Sequence, residues 1–270
     1  MNALFAASQA ELLRYLLIVV RVSPLMMTAP IWGSPLVPAQ VRIFISLLVA
    51  GLLLPVVRGP LPPGLAGSVF PLAIAVAQEL LLGFLVAYLA LLMFSAAQLA
   101  GQLIDIQVGF GIANVIDPLS SAQVTLIGQL QYLAALLVFL LLDGHHLLLS
   151  GLAATFGAAP LGSPFAAGME APLALVVQRG GRILFVLAVQ IAAPALTALF
   201  LANFALGLVS RMLPQMNIFL VGMPVNIFVG LLALAASLSI FTSVWRGAMG
   251  GLESQLAGLV AVLRTPGAHG

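Results

Sequence analysis

The sequence predicts an all-α membrane protein built from about six long apolar helical segments, several of them kinked or folded into hairpins. Three observations predict it. First, 63% of the 270 residues are hydrophobic, only 6% are charged, and the mean hydropathy is +1.23, whereas a soluble domain carries about 25% charged residues. Second, apolar runs recur at or above the length of about 20 residues that crosses a bilayer as a helix. Third, the connections between runs carry the prolines and glycines. The same composition excludes other classes. No cysteine is present, so disulfides, thiolate metal sites and thiol redox chemistry are out. All nine basic residues are arginines, scattered along the chain for a net charge of only +2. No polybasic cluster offers itself to nucleic acid or acidic lipid.

The first run, Leu4 to Thr28, is interrupted by Glu11, Arg14 and Arg21. It lacks the basic start of a signal peptide, so the helix is expected to persist in the mature protein. Glu11 and Arg14, three apart, can pair, and Arg21 continues their face. Pro38 suits the first turn of the second run, Val37 to Val57, because its missing N–H has no helical partner there. The third run is Val69 to Ala97. The fourth, Val124 to Phe156, and the fifth, Leu173 to Ser210, exceed one crossing and are expected to kink, tilt or fold back. Gly180, Gly181 and Pro194 are the expected break points of the fifth. The sixth is Ile218 to Val244. From Gly247 the periodicity fades, and residues 264–270 read as a loose tail after a single all-helical domain over residues 1–263. The arginines do not alternate from loop to loop, so no orientation follows. Gly83, Gly101, Gly128, Gly207 and Gly230 lie inside apolar runs, where small residues let helices approach closely.

The stretch Ser95 to Gln123 carries the most unusual pattern. Ser95, Gln98, Gln102 and Asp105 fall three, four and three apart, one polar stripe on a helix. The helix pattern then breaks at Gly109-Phe110-Gly111 and ends at Asp117-Pro118. Non-helical backbone at membrane depth must be buried by protein or line a watery cavity, so this stretch is expected to face a protein-lined path. Glu79 stands alone in an apolar run; it is either a proton-coupled carboxylate or the partner of an arginine such as Arg42 or Arg182. Asp143-Gly144-His145-His146 is the histidine cluster. Adjacent histidines project about 100° apart on a helix and chelate one metal poorly, so the expectation is a helix end with Gly144 relaxing the backbone. Arg182, Asn203, Arg211 and Asn217 are candidate interhelical or partner contacts. Asn217-Ile-Phe and Asn226-Ile-Phe flank Val221 to Pro224, which reads as a helical hairpin with asparagine caps. No catalytic constellation, phosphate loop or dinucleotide fingerprint occurs, and no enzyme activity, cofactor or metal is expected.

Four pieces together resemble the FliR family of the flagellar type III export gate: Ser23-Pro24 through Pro38 to Arg42; Gly101 to Pro118; Leu142 to His146; and Asn203 to Arg211 through Pro214 to Pro224. The resemblance covers nearly the whole chain and is nearer to flagellar than to injectisome members. It implies a single copy wound with several copies of FliP-like and FliQ-like membrane proteins into a hetero-oligomeric gate, with an FlhB-like switch protein nearby and no nucleic acid. Residues 1–200 would be FliP-like and 201–263 FliQ-like. The gate would pass unfolded flagellar proteins across the bacterial inner membrane at the basal body. The implied plug runs from Gly109 to Pro118 (Phe110, Gly111, Ile112, Ala113, Asn114, Val115, Ile116 and Asp117 between), with Phe110, Ile112, Val115 and Ile116 as its apolar contacts. Asn226 stands where the family often has a basic residue. Two rival readings are a secondary transporter of a small solute that uses Glu79 or Asp105, for which inverted repeats are missing from the sequence, and a metal enzyme centred on His145 and His146.

Overall fold

The structure is a computed structural model and describes residues 2–34, 37–57, 59–65, 67–110, 125–163, 170–213, 215 and 217–264. Among the described residues all regular structure is α-helical: α1 (Asn2–Thr28), α2 (Ala39–Leu53), α3 (Val69–Val108), α4 (Leu126–Leu141), α5 (Gly144–Ala158), α6 (Glu170–Met212), α7 (Ile218–Ala236) and α8 (Leu238–Arg264).

Of the six apolar runs, the described residues offer between two and four candidate crossings. Among the described residues, only α3 and the Leu173–Met212 part of α6 are singly long and apolar enough. α1 carries Glu11, Arg14 and Arg21 within eleven positions, and α2 has 15 residues, short of the length a crossing needs. The fourth run folds as α4 and α5, bent by 69°, and the sixth as α7 and α8, bent by 54°. α6, by contrast, runs unbroken through Gly180, Gly181 and Pro194. The hairpin turn also lies elsewhere than expected: Pro224 is inside α7, and the reversal falls before Ile218. The C-terminal reading changes most. α8 continues to Arg264, because Met249, Leu252, Leu256, Leu259 and Leu263 keep a helical spacing and are all buried. Residues 265–270 lie outside the described residues.

The chain divides into two compact units, each drawn from separate stretches. The first comprises residues 1–92, 143–180 and 250–270. Here α1 packs on α2 and buries Leu17, Ile18, Val22, Leu25 and Met26 along one face. Pro24 sits within α1 and leaves the Val20 carbonyl without its helical donor; the Ser23 hydroxyl donates to that carbonyl at 3.1 Å. At the start of α2, the Pro38 carbonyl accepts from Val41 and Arg42 N–H. The Arg42 side chain donates to the Val37 and Ser34 carbonyls at 2.8–3.0 Å.

The second unit comprises residues 93–142 and 181–249. Its centre is aromatic. Phe94 meets Phe139 and Trp245 edge-on at 5.2 Å and Tyr132 at 5.6 Å, and Trp245 stacks on Phe241, arrangements that ring quadrupoles favour. α6 and α7 form the hairpin, joined across by Asn226 Nδ2 donating to Asn203 Oδ1 at 2.8 Å. Phe185, Phe200, Phe204 and Met212 on α6, and Leu220 and Phe228 on α7, are all at least 60% exposed. A patch of this extent marks a partner or lipid surface.

Candidate functional site

Two acid–glycine pairs on α3, Glu79 with Gly83 and Gly101 with Asp105, organise the polar interior. In each pair the residues are four apart and share a face. A glycine there lets a neighbouring backbone approach, and the acid receives what the neighbour brings.

In the first unit the neighbour is α1. A Cβ on Gly83 would lie 2.0 Å from the Arg21 carbonyl oxygen, so this crossing exists only with glycine. One turn earlier, Arg21 Nε donates to Glu79 Oε2 in an ion pair whose members are 0% and 2% exposed. The remaining polar atoms are served as burial requires. Arg21 Nη2 donates to the Ala159 carbonyl at 2.9 Å and Nη1 lies 3.4 Å from Thr155 Oγ1. The guanidinium also sits 4.3 Å over the Phe156 ring. Glu79 Oε1 accepts from Gly162 N–H at 3.0 Å. The partner of Glu79 is therefore Arg21, and neither Arg42 nor Arg182. Arg42 is spent on loop carbonyls, and Arg182 is exposed. The sequence held a signal for this: among the nine arginines, Arg21 is the one centred in an apolar helical run, Leu16 to Leu25.

In the second unit the neighbour is α4. A Cβ on Gly101 would fall 2.2 Å from the Gly128 Cα. Asp105, 3% exposed, accepts from Ile127 N–H at 3.1 Å through Oδ1 and from Gly128 N–H at 3.3 Å through Oδ2. Thr125, the residue that begins α4, makes no side-chain cap. Asp105 thus caps α4 from another helix, serving the second and third N–H groups that an N-cap side chain ordinarily serves. The stripe divides accordingly: Gln98 and Gln102 are exposed, Ser95 is half-buried and Asp105 is buried. Just beyond, Gly109 has φ of +100°, and the Asp105 carbonyl accepts from both Gly109 and Phe110 N–H at 3.1 and 3.0 Å, a glycine-type helix end. Gly111 to Pro118 of the implied plug lie outside the described residues.

At the α4–α5 bend the left-handed residue is Asp143, φ 53°, and not Gly144, which is buried. The Asp143 carbonyl starts α5 by accepting from His146 and Leu147 N–H. Asp143, His145 and His146 offer ligand atoms within 4.8 Å of one another, with Asp143 and His146 exposed. A groove of about 570 Å³ between α5 and the end of α8 is lined by Gly151, Ala154, Leu256 and Val260, with Glu253 and Arg264 also bordering it. Asn203 and Arg211 are exposed, as is Asn217, whose carbonyl accepts from Leu220 N–H at the start of α7.

A long helix bearing buried acids, two bent helix pairs and a large apolar surface describe an assembling membrane subunit. The model of the family described as bacterial export proteins, family 1, matches residues 12–252. The chain belongs to this family. It is 36% identical over 232 residues to the flagellar biosynthetic protein FliR of Bacillus subtilis, covering 86% of this chain and 88% of the relative. It is 32% identical to FliR of Escherichia coli over 216 residues, 80% of each chain. It is also 32% identical over 164 residues to the Yop proteins translocation protein T of Yersinia pestis, covering 61% and 62% of the two chains. This FliR-family chain is a subunit of a type III protein export gate and part of a membrane export complex. Small-solute transport through Glu79 or Asp105 finds no support, since both oxygens of each carboxylate are already engaged.

Proposed function

We propose that this FliR-family subunit forms part of the gated conduit through which unfolded flagellar proteins cross the bacterial inner membrane at the basal body. The observation that carries the reading is the extent of the flagellar match: 86% of this chain and 88% of the Bacillus subtilis relative, against 61% of this chain for the Yersinia translocation protein. FliP-like and FliQ-like proteins cover the exposed apolar faces, with residues 1–200 the FliP-like part and 201–263 the FliQ-like part, and an FlhB-like switch protein binds the assembly. Gly109 to Pro118 is the plug, and Gln98 and Gln102, exposed in the single chain, find hydrogen bonds in the assembly or in its path. Arg182, Asn203, Arg211 and Asn217 contact partners. The subunit does no chemistry of its own; energy enters elsewhere.

The test is a tagged pull-down in mild detergent with native mass spectrometry. A large assembly with one copy of this chain and several copies of two smaller membrane proteins is the expected result. A monomer or homodimer overturns it.

A further inference from the structure

The start of α5 carries two polar groups whose interactions stop short of completion. Asp143 stands at the N-cap but makes no side-chain cap, although an aspartate there ordinarily accepts from the first turn of its helix. Its carboxylate is turned to His146 instead, with Oδ1 3.5 Å from Nδ1, beyond the length of a good hydrogen bond. His145 is half-buried, and its Nδ1 is buried without a hydrogen-bond partner, an arrangement that costs free energy. Adjacent side chains on an ideal helix diverge by about 100°, yet the two imidazole rings lie 4.2 Å apart, centre to centre. The pair is therefore not splayed as helical spacing alone predicts. Asp143, His145 and His146 each offer a ligand atom, and these atoms lie within 4.8 Å of one another. We propose that the three side chains form a binding site for a divalent transition metal of the zinc and copper class.

The donor set selects the ion. Two imidazoles and a carboxylate suit Zn²⁺, Cu²⁺ and Ni²⁺, whereas Mg²⁺ and Ca²⁺ take oxygen ligands. Three protein ligands leave a position for water, as in open zinc sites. Bonds of about 2.0–2.2 Å to one ion require the ligand atoms to close to roughly 3–3.5 Å. Asp143 and His146 are exposed, so rotation of their side chains can bring them in. A cation there gives the carboxylate the partner it lacks as a cap. The positive end of the α5 dipole opposes a cation weakly, and the charge of Asp143 offsets it. Affinity is expected in about the micromolar range, short of that of closed four-ligand zinc sites.

The experiment uses the assembled complex, purified through a histidine-free tag and stripped with EDTA. Zn²⁺ uptake is measured by equilibrium dialysis, and Cu²⁺ serves as the spectroscopic probe. The variants are Asp143→Asn, His145→Gln, His146→Gln and the double histidine variant. His269 stays in all of them, so it cannot account for a difference. The expected result is about one Zn²⁺ more per copy of this chain in the wild type than in the double variant, and binding at least about tenfold weaker in each single variant. Excess Mg²⁺ should not displace the Zn²⁺. Paramagnetic resonance of bound Cu²⁺ should show two imidazole nitrogens in the wild type and one in either single histidine variant. Melting of the EDTA-treated variants shows whether each has folded. Should His145→Gln unfold, His146→Gln and Asp143→Asn, both at exposed positions, decide together with the wild-type spectrum. Equal Zn²⁺ uptake by the wild type and the double variant overturns the site. A single imidazole nitrogen on Cu²⁺ in the wild type reduces it to a surface contact of Asp143 and one histidine, and overturns the three-ligand assignment.

Discussion

Arg21 and Glu79, 58 residues apart in sequence, form a buried ion pair between α1 and α3 in which neither side chain exceeds 2% exposure. Removing both charges from a low-dielectric interior can be neutral if apolar groups fill the space, but removing one strands the other at a cost of about 3–5 kcal/mol. Arg21→Met and Glu79→Gln are each expected to lower the melting temperature and the membrane abundance of the assembled gate sharply. The double variant Arg21→Met with Glu79→Leu should recover part of the loss, short of wild type because Gly162 N–H and the Ala159 carbonyl lose their partners. Thermal unfolding of the purified complex measures it. Equal melting for the singles and the wild type would mean the pair contributes nothing.

Gly83 makes that pair possible. An alanine there places Cβ 2.0 Å from the Arg21 carbonyl oxygen, so α1 and α3 must separate and Arg21 withdraws from Glu79. Gly83→Ala is therefore expected to cost about as much as Glu79→Gln, and the two together well under the sum, because contacting residues couple by about 0.5–3 kcal/mol. Gly181→Ala and Gly207→Ala are the controls. Nothing lies within 4 Å of a Cβ at either, and alanine favours a helix interior by up to about 1 kcal/mol, so both should be neutral or slightly stabilising. A double-mutant cycle on melting temperature decides it; full additivity of the Gly83 and Glu79 changes would break the link.

Much of this was legible in the sequence, for reasons of differing strength. Helix content followed from composition, and the apolar run starts landed close to the helix starts. The number of crossings did not follow, because hydropathy scores a run and cannot see the bends at Leu142-Asp143 and before Leu238 that split two runs in half. The continuity of α6 through Pro194 and of α8 past Gly247 was hidden for a related reason: tertiary burial, as at Leu199 and Leu252, outweighs local helix-breaking tendency. Asp105 was legible as a polar position on α3, but its role was not. Its partners are backbone N–H groups on α4, and main-chain donors leave no letter in a sequence. Arg21 was read only as continuing the face of Glu11 and Arg14, and those two, lying nearer on the same helix, obscured its pairing with Glu79.

Asp143 holds φ of 53° at the α4–α5 bend, a conformation that costs an L-residue roughly 1–2 kcal/mol, less for Asp than for most. Asp143→Gly should therefore leave stability unchanged or raise it by up to about 1 kcal/mol, since the exposed 3.5 Å contact with His146 is worth little. Asp143→Val, β-branched at the same φ, should lower it by at least about 1 kcal/mol. Melting of the two variants checks the ordering. If glycine were the more harmful of the two, the side chain of Asp143, and not its backbone, would be what the bend depends on.

Gly109 ends α3 with φ of +100° and donates to the same Asp105 carbonyl as Phe110. Valine cannot adopt that conformation without strain on the order of 1–3 kcal/mol, and the chain can relieve it only by extending or unwinding the end of α3. Either response moves Phe110 and whatever follows it. On the plug reading, Gly109→Val should cut secretion of flagellar substrates by about tenfold or more, the factor that a 1.4 kcal/mol shift gives, while the subunit still enters the complex. Gly109→Asn, which tolerates positive φ better than other side chains, should secrete several-fold more than valine. Secretion assays on matched levels of assembled complex separate the cases. A valine variant that exports normally would show that the backbone turn at Gly109 is not what places the plug.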